Sequence, residues 1–377
     1  MACGMLAMQD AGIKVDRYVA FEIDKYAVQT SSHNFPMIEH RGDVFQADFT
    51  EFTGFDFVVG GSPCTKWSIA QKNGRETEAS GIGWELFSQF DRAIKEVKPR
   101  FFIYENNKSM HNNIRAAITE TFGFEPICIN SARVSAQNRK RLYWVGKRNP
   151  DGTYSKVHVD QPEDRGILIR DILDGVSDAP VCVAERGRYT ESGIEQHYEA
   201  RDDGKTNVLT TVQKDNQVCE PVRIGCYPSP DGTVKNSQGM RIYSVDGKSV
   251  NMTSQGGGLG AKSGLYAFEV PIYAQPIEWD ENGNPTKAIS SADGKTYPVY
   301  QVKDGQITIK GKQYPIKLAD GYYIIRKLTV SECKRLQTVP EWYEFPVSDS
   351  QAYKMLGNGW TVLVISWLIQ ATQKEEC

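Results

Sequence analysis

The stretch from residue 55 to residue 64, Phe-Asp-Phe-Val-Val-Gly-Gly-Ser-Pro-Cys, constrains the fold more than any other part of this sequence. An apolar run of this kind is typical of a buried strand in a parallel sheet, and the glycines and proline after it end the strand in a tight turn. We therefore expect Cys64 just beyond the carboxyl end of a central strand, where open α/β sheets bind ligands. Its thiol is either a nucleophile or one more buried, inert cysteine, and this stretch alone leaves both interpretations open.

The first 150 residues alternate short apolar runs with amphipathic stretches. Alternation at this spacing predicts βαβ units in an α/β fold, with a mostly parallel, doubly wound sheet covered by helices on both faces. The predicted strands are 18–21, 55–60, 100–104, 126–130 and 142–145, and the predicted helices are 24–34, 84–98 and 113–122.

The sequence pattern changes after about residue 174, where short runs of β-branched residues are separated by Gly, Asn, Asp and Ser. Three of these runs, 243–250, 300–307 and 307–314, are predicted to be hairpins. Helical periodicity returns at 329–337 and 360–373. We therefore predict a first domain over 1–174, an inserted, smaller β-rich domain over 175–325, and a segment over 326–377 that returns to the first domain.

Composition limits the function classes. The net charge of −3 gives no general support for nucleic-acid binding, so local basic clusters must supply it. The eight cysteines form no Cys-x-x-Cys pair, so we expect no metal site. Without a long apolar run or a signal peptide, we expect a cytoplasmic protein that does not contact a membrane. We also expect it to be monomeric.

Two further stretches carry groups suited to chemistry. Glu105 directly follows the apolar run 101–104, so it is either a carboxylate at the ligand edge of the sheet or a solvated strand end. Gln137, Arg139 and Arg141 alternate, so on an extended chain all three point to one face. Two guanidiniums and an amide suit a phosphate or a base edge, although an exposed basic edge strand has the same pattern.

Together these motifs resemble the cytosine-C5 methyltransferase family, of bacterial or phage type. Gly-Ser-Pro-Cys64 resembles its Pro-Cys nucleophile motif, and Glu105-Asn-Asn resembles its Glu-Asn-Val motif, with Asn107 departing at the third position. The Gln-x-Arg-x-Arg motif is matched at 137–141. Residues 326–337 resemble the family's Arg-x-Leu-Thr…Glu…Arg-Leu-Gln motif, and 357–358 resemble its Gly-Asn motif. Five motifs in order favour Cys64 as the nucleophile.

The resemblance implies a Rossmann-like, S-adenosylmethionine-dependent enzyme that methylates C5 of a cytosine flipped out of duplex DNA. Cys64 would add to C6 of the base, and Glu105 would act as the general acid at N3. Arg139 would hold O2 of the base, with Arg141 beside it in the catalytic set. The polar, glycine-containing stretch 65–83 resembles a mobile loop that closes over the flipped base.

The resemblance also implies contacts to the cofactor and to DNA. Glu22 has independent support, since an acidic residue after a strand often binds ribose hydroxyls, although many such residues are simply solvated. The inserted domain would be the target-recognition domain. The cofactor set is Gly4, Glu22, Ile23, Asp43, Val44, Pro63, Asn358 and Trp360, and the DNA set is Ser68, Gln71, Gln137, Arg139 and Lys262.

The family's first strand has no counterpart in this sequence, which begins inside the Phe-x-Gly turn of the cofactor site, at Met1-Ala-Cys-Gly4. We favour a start codon that has been placed too late. Three alternatives remain: the same chemistry on RNA, a thymidylate-synthase-like enzyme acting on a free nucleotide, and a catalytically dead DNA-binding homologue. A thymidylate-synthase-like enzyme would have no use for the 137–141 motif or for the insert. The intact catalytic set argues against a catalytically dead homologue.

Overall fold

The structure is a computed structural model. It describes residues 1–63, 66–67, 74–174, 182–190, 193–201, 223–228, 233, 240–252, 265–269 and 273–375. Within those ranges, no helix combines the length and the apolar character needed to span a bilayer.

The first half of the chain forms an α/β layer around two sheets. Strands β1 (Val19–Ala20) and β2 (Glu39–His40) pair in parallel. A second sheet has the order β3-β4-β6-β5, with one further strand, β7, on β6. Because β6 is antiparallel to β4 and β5 while β3 is parallel to β4, one reversed strand lies within an otherwise parallel sheet. The strands of this second sheet are β3 (Phe57–Gly60), β4 (Phe101–Asn107), β5 (Ile127–Asn130), β6 (Lys140–Arg148) and β7 (Tyr154–Lys156).

Strand β4 is the centre of this layer because both of its faces are buried. Phe101 and Ile103 pack in one apolar cluster, whereas Phe102 and Tyr104 pack in another. Successive side chains of a strand point to opposite faces, so this split means that the sheet is covered on both sides. The α/β fold class expected from the sequence is confirmed.

Helices cover these faces. Helix α3 presents Phe87, Ile94 and Val97 to the interior and ends at Lys98, which adopts a left-handed conformation just before Pro99. The first and last helices share one core, and Ser366 on the last donates to Asp10 on the first (2.5 Å). The helices are α1 (Cys3–Asp10), α2 (Lys25–Asn34), α3 (Gly81–Val97), α4 (Asn112–Phe122), α5 (Val330–Leu336), α6 (Asp349–Asn358) and α7 (Val362–Lys374).

The remaining described strands belong to a β-rich region. Strands β8 and β9 form a hairpin, and the other nine strands form one sheet. Seven of them have the order β10-β11-β12-β18-β15-β14-β13, and the remaining two, β16 and β17, extend the sheet from β15. The strands are β8 (Cys182–Thr190), β9 (Gly193–Arg201), β10 (Arg223–Cys226), β11 (Arg241–Tyr243), β12 (Leu265–Glu269), β13 (Ala274–Trp279), β14 (Pro285–Ser290), β15 (Thr296–Lys303), β16 (Gln306–Ile309), β17 (Lys312–Pro315) and β18 (Gly321–Arg326).

Two of the three hairpin predictions are confirmed. Strands β15 and β16 turn at Asp304-Gly305, and β16 and β17 turn at Lys310-Gly311; all four turn residues have positive φ. The hairpin at 243–250 is wrong. Strand β11 pairs with β10 and β12, and the chain after it leaves the sheet, so that Ser249 bridges Gln137 in the first half of the protein. A long-range contact therefore overrides the local turn signal.

A buried ion pair fixes the start of α5. Both guanidinium NH groups of Arg326 donate to the Glu332 carboxylate (2.8 Å each), and the two side chains are 1% and 0% exposed. The carboxylate also accepts from the backbone N–H of Thr329 (2.7 Å), which closes a capping box.

Glu332→Gln is expected to lower the free energy of unfolding by about 3–5 kcal/mol, because it leaves the Arg326 charge buried without its counter-charge. The control is Glu278→Gln, which breaks a half-exposed pair with Lys287 and should cost less than about 1 kcal/mol. Denaturant unfolding measures both. Equal losses in the two variants would contradict this account of the buried pair.

Candidate active site

The Glu105 carboxylate is held from two sides at the end of β4. Nε of Arg141 lies 3.0 Å from its Oε1, and the indole N–H of Trp360 donates to its Oε2 (3.0 Å). The Glu105 and Arg141 side chains are only 12% and 10% exposed, so water screens this ion pair far less than it would a surface pair. The predicted alternatives, a solvated strand end at Glu105 and an exposed basic edge strand at 137–141, are therefore wrong.

Arg139 has a different environment from Arg141. Its guanidinium is 4% exposed and donates to Oδ1 of Asn251 (2.9 Å) and to the backbone oxygens of Gly357 (3.2 Å) and Gly359 (2.9 Å). These acceptors come from two distant parts of the chain, so Arg139 joins the segments around β6 and α7. Of the two arginines, Arg141 is the one paired directly with Glu105.

The turn after β3 packs tightly against the end of β4. A Cβ on Gly61 would lie 2.6 Å from the backbone oxygen of Glu105, so only glycine allows this approach. Ser62 Oγ lies 2.6 Å from the Tyr104 hydroxyl, and the Asn106 side chain donates to the backbone oxygen of Ser62 (3.2 Å). Burial raises the pKa of Tyr104, so its hydroxyl stays protonated. Pro63, the last described residue here, is exposed.

The nucleophile predicted from the sequence, Cys64, lies outside the described residues, as do Ser68 and Gln71 of the predicted DNA set and Lys262 of the β-rich region. Gln137 is described and fully buried, and neither polar atom of its side chain has a hydrogen-bonding partner among the described residues.

The departure at Asn107 has a structural use. Its side-chain Oδ1 accepts from Ser109 Oγ (2.7 Å), and its Nδ2 donates to Asn106 (3.3 Å). Arg75, in the stretch after Cys64, donates to the backbone oxygens of Ser109 (2.7 Å) and Trp67 (3.3 Å). An amide at position 107 therefore links the end of β4, through Ser109, to Arg75, which a valine could not do.

Two carboxylates and two exposed apolar side chains gather beyond β1 and β2. Glu22 and Asp43 follow these parallel strands, so they lie at the same sheet edge. Each orders its own turn: Glu22 accepts from the N–H of Asp24 (2.9 Å) and Asp43 from that of Phe45 (3.0 Å). Ile23 is 78% exposed and Phe45 39% exposed. Val44 begins the short helix that Asp43 caps.

Gly4 places the start of α1 against two aromatic side chains. A Cβ at this position would lie 2.5 Å from the Tyr18 hydroxyl and 3.9 Å from the Trp360 ring. Burial raises the pKa of Tyr18 to about 12, so its hydroxyl is uncharged at neutral pH. Trp360 thus lies between Gly4 and Glu105, while Asn358 is exposed at the end of α6.

Sequence reasoning missed Asn251, Tyr104 and Asn106 as members of the site. Tyr104 and Asn106 flank Glu105 in β4, so a closer reading of that motif would have included them. For Asn251, no spacing or motif in the sequence indicates its contact with Arg139.

A family model described as C-5 cytosine-specific DNA methylase matches residues 2–374. The chain belongs to this family. It is therefore a DNA cytosine-C5 methyltransferase, whose methyl donor is S-adenosylmethionine.

Curated relatives include phage enzymes. The chain is 27% identical over 415 residues to the orphan methyltransferase M.SPRI of Bacillus phage SPR, covering 95% of this chain and 92% of that protein. It is also 27% identical to the orphan methyltransferase M.Rho11sI of Bacillus phage rho11s, covering 76% of this chain and 62% of that relative, which is less than two thirds of its length.

A solved structure shares the fold. The Entamoeba histolytica methyltransferase EhMeth matches with a TM-score of 0.59 at 14% identity, covering 100% of this chain and 96% of that one. The likeness shows that this methylase and that protein share a fold.

The side chains beyond β1 and β2 fit the methyl donor. The ribose hydroxyls and the adenine amino group are donors, for which Glu22 and Asp43 would offer acceptors, and the adenine ring would find apolar surface at Ile23 and Phe45, which are exposed. Trp360, between Gly4 and Glu105, would face the methionine half.

Trp360→Phe is expected to slow methyl transfer about tenfold to a hundredfold at saturating S-adenosylmethionine, because it removes one hydrogen bond to the Glu105 carboxylate. The affinity for S-adenosylmethionine should change less than about threefold, since phenylalanine keeps an aromatic ring at this position. Rapid-quench methyl transfer and equilibrium donor binding measure the two quantities.

The matched control is Trp367→Phe, on α7, which also removes an indole donor, in this case to the backbone oxygen of Asp160 (2.8 Å). It should leave methyl transfer unchanged. If the Trp360 variant lost donor affinity at an unchanged rate, Trp360 would only bind the donor.

Proposed function

We propose that the methylase acts on duplex DNA through a covalent adduct between Cys64 and C6 of a flipped-out cytosine. The observation that carries this proposal is the Glu105 carboxylate held by Arg141 and Trp360, beside the turn that leads into Cys64. It supports the proposal because a carboxylate and a cation of this kind suit general-acid catalysis, and the Pro-Cys motif marks the residue after this turn as the nucleophile.

In the first step the Cys64 thiolate forms a bond to C6, and the electrons of the C5–C6 double bond move through C4 towards N3. Glu105, which must enter this step in its protonated form, donates its proton to N3 and becomes the carboxylate that Arg141 and Trp360 hold, and the proton neutralises the charge that develops on N3. C5 becomes an enamine carbon that would form a bond to the methyl carbon of bound S-adenosylmethionine, while the bond from that methyl to sulfur would break and S-adenosylhomocysteine would leave. Loss of the C5 proton to a base then restores the C5–C6 double bond, the sulfur–C6 bond breaks, and N3 returns its proton.

Arg141, rather than Arg139, is proposed to face the base. Its ion pair with Glu105 keeps a guanidinium at the reacting ring, where it would stabilise charge on O2. Arg139 is nearly fully buried and donates to backbone oxygens of the segment before α7, which suits an anchor. This assignment exchanges the roles that the resemblance implied for the two arginines.

The base must leave the duplex to reach these groups, since C6 is attacked out of the plane of the ring and the neighbouring bases stack on both faces. The β-rich region, as a separate nine-stranded sheet, is proposed to read the target sequence in the major groove.

The test is transfer of labelled methyl from S-adenosylmethionine to unmethylated duplex DNA, followed by base analysis. Cys64→Ala is expected to abolish transfer. Glu105→Gln should slow it at least about a hundredfold, because an amide has no proton to give at N3, while DNA affinity stays within a few-fold. Cys128→Ala, which removes another free thiol, serves as the control and should be fully active.

A Cys64→Ala variant that still methylates cytosine would contradict the covalent mechanism. Label that appears only on an RNA substrate would contradict duplex DNA as the target.

A further inference from the structure

Residues 244–252, here called the docking segment, carry the β-rich region into the active site. After β11 the backbone pairs with the catalytic half: the N–H of Ser249 donates to the oxygen of Ala136 (2.6 Å), and the N–H of Asn138 to the oxygen of Ser249 (3.0 Å). Farther back, Gly247 accepts from the N–H of Ile169 (3.0 Å). The docking segment is thus hydrogen-bonded to two parts of the catalytic half, the chain that leads into β6 and the chain that follows β7.

A buried lysine sets its position. The Lys248 side chain is 1% exposed, and its ammonium donates to the backbone oxygens of Ala132 (2.9 Å), Ser135 (3.2 Å) and Ile167. A buried charge remains only where such acceptors surround it, so the docking segment cannot slip along the catalytic half without leaving an ammonium unsatisfied.

Asn251, three residues after Lys248, reaches both catalytic-site arginines. Oδ1 of Asn251 accepts from Arg139 (2.9 Å) and from the NH2 group of Arg141 (3.4 Å). Arg141 in turn places its Nε 3.0 Å from the Glu105 carboxylate. One amide oxygen therefore bridges two like-charged guanidiniums, one an anchor and the other paired with the general acid.

We propose that Asn251 is a positioning residue for catalysis: it orients Arg141 on Glu105 and thereby ties the catalytic carboxylate to the position of the β-rich region. The role rests on the proposed function, because it acts through Glu105. An amide suits the task, since a neutral oxygen orients a guanidinium without competing for it as a second carboxylate would.

The test is single-turnover methyl transfer at saturating DNA and S-adenosylmethionine. Asn251→Ala is expected to lower the rate about tenfold to a hundredfold, while the equilibrium affinities for DNA and the donor stay within about twofold. Asn282→Ala removes an exposed asparagine of the same region and should behave as the unaltered chain. Asn251→Ser, whose side chain is too short to bridge both arginines, supplies the same comparison if the alanine variant does not fold.

A double-mutant cycle separates positioning from a merely structural role. If Asn251 acts through Glu105, then Asn251→Ala in the Glu105→Gln background should slow transfer by less than about twofold. Full additivity, an unchanged rate in the single variant, or a loss confined to DNA affinity would each overturn the proposal. Failure of the unaltered chain to methylate cytosine would instead overturn the proposed function, and with it this role.

Discussion

The ion pair between Glu105 and Arg141, completed by the indole of Trp360, is the interaction on which the active site depends. It joins three parts of the chain that are far apart in sequence: the end of β4, the start of β6 and the segment before α7. The carboxylate is mostly shielded from water and accepts one charged and one neutral N–H bond. Each partner is in turn fixed, Arg141 by the register of β6 on β4 and Trp360 by its packing beside Gly4.

The layers around this carboxylate are arranged to hold it still. Strand β4 is buried on both faces by aromatic and aliphatic side chains, so its carboxyl end cannot shift without disturbing two cores. Gly61 brings the turn that ends at Pro63 against Glu105, and Arg75 donates to Ser109, which donates to Asn107. A carboxylate and its paired guanidinium thus meet at one edge of the sheet, although they come from different strands.

Much of this could be predicted from the sequence because its signals are local. The apolar run before Gly60 and the one before Glu105 marked two adjacent parallel strands, and the fold class followed from their alternation with helices. The hairpin predicted at 243–250 was wrong because a local turn signal at Asp246-Gly247 does not indicate long-range contacts. The Lys248 ammonium is buried and donates to the backbone oxygen of Ala132, so the chain packs on the catalytic half instead of folding back on β11. The contacts of Trp360 and Asn251 could not be predicted for the same reason, because each depends on a partner more than a hundred residues away in the sequence.

The central claim, covalent attack by Cys64 beside this carboxylate, is tested most directly by trapping the adduct. Duplex DNA with 5-fluorocytosine at the target position should hold the enzyme after methyl transfer, because the fluorine on C5 cannot leave as the proton does. Peptide mass spectrometry of the trapped complex should find the methylated base on Cys64, and only when S-adenosylmethionine is present. An adduct on another cysteine, or no adduct from an enzyme that methylates ordinary cytosine, would contradict the account.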